Sequence, residues 1–285
     1  MTEREIGLRP QVLWLVAVFT AFISTSFSVH AAPKADLWPR WQKNNPASTH
    51  NIDHSVWDRF LKQHVILPHP SGINRVRYQA VGDEDRKSLK AYLQKLQDLP
   101  ISTYNRTEQK AFWINLYNAL TVELILSRFP VASIREINIS PGLFVKGPWG
   151  AKLVMIEGEK LSLDDIEHRI LRPIWRDSRV HYAVNCASLG CPNLQPTAFT
   201  GDNAESLLEK AAKEYINHPR GVAIGNGKLK VSSIYVWFQE DFGGSEGLME
   251  HWREYAEAPL ADALQSYTGR LEHDYDWRLN GLEQK

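Results

Sequence analysis

The sequence predicts a single α+β domain built round one buried central helix, with a small, mostly antiparallel sheet beside it. Three observations carry this. Beyond Lys110 the segment Thr107–Leu126 is apolar almost all round, as a helix is when neighbours cover every face. Two hairpin signals follow: Leu153–Ile156 runs into Glu157-Gly158, and Val222–Ile224 and Leu229–Val231 flank Gly225-Asn226-Gly227-Lys228. No internal repeat and no linker divides the chain after residue 55, and helices and hairpins that do not alternate as β-α-β favour α+β over a parallel sheet.

In chain order, Arg4 and Arg9 precede the apolar run Val12–Ile23, and Val29-His30-Ala31 places small residues where a signal peptidase cuts. Residues 1–31 therefore read as an export signal cleaved after Ala31 or Ala32, with the mature chain exported and most simply periplasmic. The apolar run is shorter than the roughly 20 residues that span a bilayer, and no second such run occurs. Pro33–His50 is polar and proline-punctuated, so residues 32–55 read as a linker and 56–285 as the domain. A first helix opens at Val56, with Trp57, Phe60 and Leu61 on one face, and a second covers Asp83–Leu96, ended by Pro100. Thr107 is placed to N-cap the central helix, and Pro130 closes it. Ser162-Leu163-Asp164-Asp165 resembles a capping box opening a helix over Leu163–Arg172, stopped by Pro173. Val180–Cys186 is apolar and alternating and reads as a strand, from which Gly190-Cys191-Pro192 bends away. Ala204–Ile216 is helical, as are segments from Ser245 and from Pro259 to Tyr267.

The chain carries 33 basic and 33 acidic residues. The signal segment removes Glu3, Glu5, Arg4 and Arg9 together, so the balance survives cleavage. Nothing in it favours capture of nucleic acid or acidic lipid, and no membrane association is expected after cleavage. Ten tryptophans point to a well-filled core or an aromatic-lined cleft. Cys186 and Cys191 are an even pair, and an oxidising compartment favours joining them. The loop they close is small, so a bridge would pin that loop rather than staple the fold.

Candidate chemistry gathers in three places. Asn115 and Asn118 share a face of the apolar helix, and a buried amide left unbonded costs about 1–3 kcal/mol. They either tie neighbouring loops to the helix or take part in chemistry. Glu167 stands among Leu163, Ile166, Ile170 and Leu171, where a carboxylate needs a partner or a polar cleft. It is either paired with an arginine or tuned for acid–base work, and His168 adjoins it. The densest stretch is His181 to Pro192, a strand and tight loop able to present a thiol and backbone N–H groups. In a regular strand His181 would face with Ala183 and Asn185, away from Cys186. A base for Cys186 would then come from elsewhere, such as His168, His218 or His251.

Ala111–Leu120, Leu163–His168, His181–Pro192 and Asp276–Asn280, with Trp237 and Asp241-Phe242, resemble the family called domain of unknown function 547, over roughly Val56 to Asn280. The resemblance implies a family found in exported bacterial proteins and in cytosolic multidomain eukaryotic ones, with no established enzymatic activity. It supplies motif positions and no catalytic roles: Asn115, Asn118, Glu167, His168, His181, Cys186, Cys191, Asp276 and Asn280. Some relatives have serine at the position of Cys191, so the resemblance implies that a bridge is not what the fold requires. Asn185 departs from the family, which more usually has an aliphatic residue there.

Four functions compete. In a cysteine hydrolase or acyl transferase, Cys186 attacks, His168 or His181 takes its proton, and Asn115 or Glu167 orients the histidine. In a non-catalytic binding or scaffold module of the cell envelope, the polar motifs are architecture. In a redox protein Cys186 and Cys191 cycle, although they form no Cys-x-x-Cys motif. In a zinc protein Cys186, Cys191, His168 and His181 bind metal, although their spacing matches no known zinc pattern. No cofactor is assigned, and the expected partner is an envelope ligand or protein of unidentified kind.

Overall fold

Why the chain folds as it does is clearest at its first helices. A computed structural model describes residues 33–142 and 145–282, which belong to one compact unit; the export-signal reading lies outside the described residues. Helix α1 (Ser55–His64) buries Trp57, Phe60, Leu61 and His64 on one stripe, and ends in a short antiparallel pair, β1 (Val65–Ile66) with β2 (Arg75–Val76). The acidic first turn of α2 (Asp83–Gln97) complements its helix dipole. Its Tyr92 lies parallel to Trp57, which in turn stacks on Phe60 at 5.4 Å.

Helix α3 (Arg106–Arg128) is the buried axis. Its cap is Asn105, whose side-chain oxygen accepts the Glu108 N–H at 3.0 Å. Thr107, expected there, donates its hydroxyl to that Asn105 oxygen instead. The buried ammonium of Lys110 is matched by Asp177 at 2.9 Å and Glu205 at 3.0 Å, which meets the cost of burying a charge.

The hairpin of β3 (Val154–Ile156) and β4 (Glu159–Leu161) forms as expected. The capping box is reciprocal: Ser162 N–H donates to Asp165 at 2.8 Å, and Asp165 N–H donates to Ser162 Oγ at 3.1 Å. The helix it opens is wound as a π-turn over Asp165–Leu171 before tightening into α4 (Arg172–Trp175). Widened turns of this kind are rare and often sit at functional positions.

Val180–Cys186 is not a strand. Val180–Ala183 forms one helical turn, α5, nucleated as Val180, His181 and Tyr182 N–H groups return to the carbonyls of Asp177, Ser178 and Arg179. The alternation that suggested a strand reflects burial on every side, which a short helix shares with a strand. His181 and Cys186 are therefore not set on opposite faces of a strand.

Helix α6 (Ala204–Ile216) occupies the residues the sequence predicts. Beyond it β5 (Val222–Gly225) and β6 (Lys228–Ser232) form the second hairpin. Helices α7 (Ser233–Trp237), α8 (Gly244–Tyr255) and α9 (Ala258–Gln265) follow. Strand β7 (Leu271–Asp274) joins β6 in parallel. It gave no signal because every residue is exposed; Lys228–Glu272 at 2.7 Å and Lys230–Asp274 at 3.2 Å line the pairing.

The fold is α+β as predicted, with the strands distributed over three small sheets rather than one. Three of the four pairings among the described residues are antiparallel. The stretch read as a linker is docked on the domain. Trp41 is buried edge-on against Trp113 at 5.1 Å, and the Asp36 and Trp38 N–H groups bond the His168 and Arg169 carbonyls. Those two bonds satisfy acceptors on the π-turn. No helix among the described residues is long and apolar enough to cross a membrane.

Candidate functional site

The π-turn sets Glu167, His168 and Arg172 beside α5. Arg172 and His168 are four residues apart, and an Arg172 Nη donates to His168 Nδ1 at 3.0 Å. That bond fixes the tautomer: Nδ1 accepts, so the ring proton sits on Nε2, 3.7 Å from Asp164. Burial holds the His168 pKa below its ordinary value, and Arg172 adds to the effect. The nitrogen of His168 that could take a proton is thus already engaged.

His181 lies between two carboxylates. Its Nε2 is 2.7 Å from Asp241 and its Nδ1 is 3.7 Å from Glu167, while Phe238 stacks on the ring at 4.4 Å. Asp241 also accepts from Arg172 Nε at 2.5 Å. Burial alone would raise the Asp241 carboxyl, but the bonds from His181 and Arg172 hold it well below the usual carboxylate range. Asp164 moves the other way. Burial, then Glu167 and Asp165, raise it to about 6. Glu167 faces Tyr117 of α3, whose phenol is pushed up by burial first and by Glu167 second.

Cys186 and Cys191 are joined. The Cys186 N–H donates to Cys191 Sγ at 2.9 Å. The Tyr275 hydroxyl lies 3.1 Å from each sulfur and from Ser188 Oγ. Burial raises the Tyr275 phenol far above its ordinary range, so it stays protonated. The loop between the cysteines is pinned from both sides. Asn185 accepts the Ala187 N–H at 2.8 Å and donates to the Pro192 carbonyl at 2.7 Å. The first bond supports Ala187 at φ +57°, a left-handed position unusual for a residue with a Cβ. The segment Asp276–Asn280 runs alongside: Leu189 and Gly190 N–H groups donate to the Arg278 and Asp276 carbonyls, and Asn280 N–H to that of Ala187. At Gly190 a Cβ would come within 2.8 Å of the Asp276 nitrogen, so only glycine allows this approach.

The two α3 asparagines clamp backbone. Asn115 accepts the Phe199 N–H at 3.0 Å and donates to the Phe199 carbonyl at 2.7 Å. Asn118 accepts the Asn185 N–H and donates to the Ala183 carbonyl, each at 2.8 Å. Both amides are buried. Of the sequence-derived site residues, Glu167, His168 and His181 converge. Asn115 stands apart from them at Phe199, and the polar contacts of Cys186 are with Ser188, Tyr275 and Cys191 rather than with a histidine. His218 bonds the Ser71 carbonyl, and His251 lies against Tyr182. Among the described residues no group of three or more His, Cys, Asp or Glu side chains is placed to hold a metal, and the thiols of the zinc reading are taken up in the bridge.

Arg172, Asp241 and Tyr275 escaped the sequence reading of the site. Asp241 was visible only as part of an acidic–aromatic pair. Arg172 and Tyr275 carried no local signal, because their roles depend on partners distant in sequence. A second feature of the region is aromatic: half-buried Trp237, Tyr275 and Trp277 pack at 4.6–5.8 Å beside the bridge. Trp149 meets Trp277 edge-on, and Arg135 lies over the Trp277 ring.

Buried neutral histidines make a pH dependence. Burial lowers His54 and His251 to about 4 each. The unfolded chain therefore takes up protons before the folded one, and stability present above the ordinary histidine value is lost as pH falls towards 4. Asp164, raised to about 6, acts oppositely, stabilising at low pH and losing that contribution as pH rises through 6. His168, held low by burial in the same way, adds to the histidine side, so the balance is a net loss of stability as pH falls from about 6.5 to about 4.5. Urea midpoints across that range should fall with acidity, and His251→Phe should make the slope shallower.

Neither curated proteins nor solved structures include a match to the chain. Residues 101–216 match the family described as "Protein of unknown function, DUF547". That span takes in the asparagine-bearing helix, the π-turn with Glu167 and His168, and the bridged loop. Over residues 101–216 the match supports membership of that family.

Proposed function

We propose that this protein is a non-catalytic, exported binding module whose family-motif residues hold the fold together. The observation that carries the reading is the use made of those residues. Asn115 and Asn118 spend both ends of their amides on loop backbone, and Asn280 accepts the Tyr78 hydroxyl at 2.8 Å. Cys186 is bonded to Cys191, which supports folding in an oxidising compartment such as the periplasm and leaves no thiolate to attack a substrate. The partner is then an envelope ligand or protein held on the surface.

The test is an intact mass after alkylation of the native protein without reductant. Neither cysteine should be labelled until reductant is added. Rapid labelling of Cys186 in the untreated protein would overturn the reading.

One observation favours a second reading, a hydrolase or acyl transferase active only when reduced. His181, His168 and Glu167 do converge, within 3.7–3.9 Å, and Cys186 is partly exposed. On that reading, alkylation of the reduced protein would rise with pH about an apparent thiol value well below the ordinary 8.5 or so. The binding-module reading expects an ordinary value. A disulfide redox role would require that same low value together with a bridge that ordinary thiols reduce readily.

A further inference from the structure

The Cys186–Cys191 bridge has one end at the surface and the other inside. Cys186 is partly exposed, whereas Cys191 is only 3% exposed. The hydrogen-bond donors are divided unequally as well. The Cys186 backbone N–H points at Cys191 Sγ, 2.9 Å away. Ser188 donates its hydroxyl to the Tyr275 oxygen, and Tyr275 donates in turn to Cys191 Sγ, each at 3.1 Å. Cys186 Sγ also lies 3.1 Å from the Tyr275 oxygen and 3.2 Å from Ser188 Oγ. One phenolic proton serves one sulfur at a time, and only Cys191 has the backbone donor in addition. Burial keeps the Tyr275 phenol protonated, so its proton stays available over the range in which thiols ionise. A neutral disulfide sulfur is a weak acceptor and gains little from two donors. A thiolate in the same place would gain charge-assisted bonds, and without them its burial would be costly.

The loop does not depend on the bridge for its shape. Asn185 holds the Ala187 N–H and the Pro192 carbonyl. The Leu189 and Gly190 N–H groups are bonded to the Arg278 and Asp276 carbonyls, and the Tyr215 hydroxyl donates to the Gly190 carbonyl at 2.6 Å. With the S–S bond open, these contacts keep the two sulfurs within reach of each other and leave both donors in place. Thiol–disulfide exchange is faster where the attacked sulfur is accessible and the departing thiolate is stabilised. Both conditions select attack at Cys186.

We infer that Cys186 is a site of reversible S-thiolation by a small aliphatic thiol, with Cys191 as the leaving and resolving sulfur. The incoming thiolate forms a bond to Cys186 Sγ as the Cys186–Cys191 bond breaks. The electron pair departs on Cys191 Sγ, which the Cys186 N–H and the Tyr275 hydroxyl then stabilise. Return of that thiolate onto Cys186 expels the small thiol and closes the bridge, so the cycle consumes no oxidant. Cys186 is only partly exposed, and Trp237, Tyr275 and Trp277 pack beside the bridge. That setting admits a slim thiol more readily than a cysteine on a folded protein. The site goes beyond the binding-module reading and requires no turnover of a substrate.

The experiment is incubation of the oxidised full chain with glutathione, followed by an early acid quench and peptide mass mapping at low pH. The glutathione adduct should sit on Cys186, with Cys191 free, in excess of the reverse arrangement by at least about tenfold. Tyr275→Phe keeps the ring and removes the hydroxyl, and should slow opening of the bridge by about tenfold. Near-UV circular dichroism matching the parent shows that the variant is folded. The adduct position is read on the unaltered chain, so the assignment can be overturned without any variant. An adduct mainly on Cys191, or divided equally, would do so. An unchanged opening rate in folded Tyr275→Phe, or a bridge that glutathione leaves intact over hours, would do so too. An intact bridge would remove this assignment and leave the binding-module reading standing.

Discussion

Asn115→Ala and Asn118→Ala should each cost about 3–5 kcal/mol of unfolding free energy, because each strands one buried N–H and one buried carbonyl. Neither loop can turn those groups to water. Phe199 is buried beside Ala198, and Asn185 and Ala183 are buried beneath α3. Apart from the Ala183 carbonyl, which ends α5, the backbone they serve lies outside the regular helices and strands, so no ladder bond replaces the lost amide. Asn118 matters for a second reason: its oxygen holds Asn185, the residue that leads into the cysteine loop. Urea unfolding should show a lower midpoint with an unchanged slope. Asn115→Asp and Asn118→Asp keep the acceptor but lose the donor, and should be nearly as damaging. If either alanine variant unfolded within about 1 kcal/mol of the parent, its clamp would be dispensable.

Arg172→Met should be comparably severe, again about 3–5 kcal/mol, since it removes one partner of a buried ion pair and leaves the other. The guanidinium bonds Asp241, His168 Nδ1 and the Pro33 carbonyl, and lies 4.6 Å over the Phe238 ring. One side chain therefore joins the π-turn, the segment after α7 and the docked N-terminal stretch. Lysine cannot serve three directions from one point charge, so Arg172→Lys should recover little. The acid limb gives a separate signature. With its carboxyl held low, Asp241 contributes stability that is present above the ordinary aspartate value and lost as pH falls through the lower folded value. In Arg172→Met that loss should shrink, because one of the two groups that depress Asp241 is gone.

Much of this architecture is legible from the sequence, for identifiable reasons. The α3 and α6 segments, both hairpins and the Ser162–Asp165 box rest on local periodicity or fixed spacing, and those survive folding. The Val180–Cys186 segment was misread because burial on all sides erases the difference between a short helix and a strand. The docking of residues 33–41 was missed because Trp38 and Trp41 stand in a polar, proline-rich stretch, and their partners, Arg169 and Trp113, lie far along the chain. The candidate site divides in the same way. Glu167 and His168 were marked by their place among apolar neighbours, whereas Asp241 and Arg172 acquire meaning only from each other. The strand geometry that set His181 apart from Cys186 does not exist. Their separate partners, Asp241 for one and Cys191 for the other, now distinguish them.

Side chains of the buried helix hold, by their backbone, the segments that flank the cysteine loop, Ala183–Asn185 before it and Phe199 after it. Amide hydrogen exchange resolved over residues 183–187 and 198–200 tests it without altering the protein. If the claim holds, the Asn185 and Phe199 amides exchange as slowly as those in the middle of α3, only through global unfolding. Exchange at the rate of an open loop would show that the Asn115 and Asn118 clamps are not closed in solution, and the architectural reading of the family motif would fail.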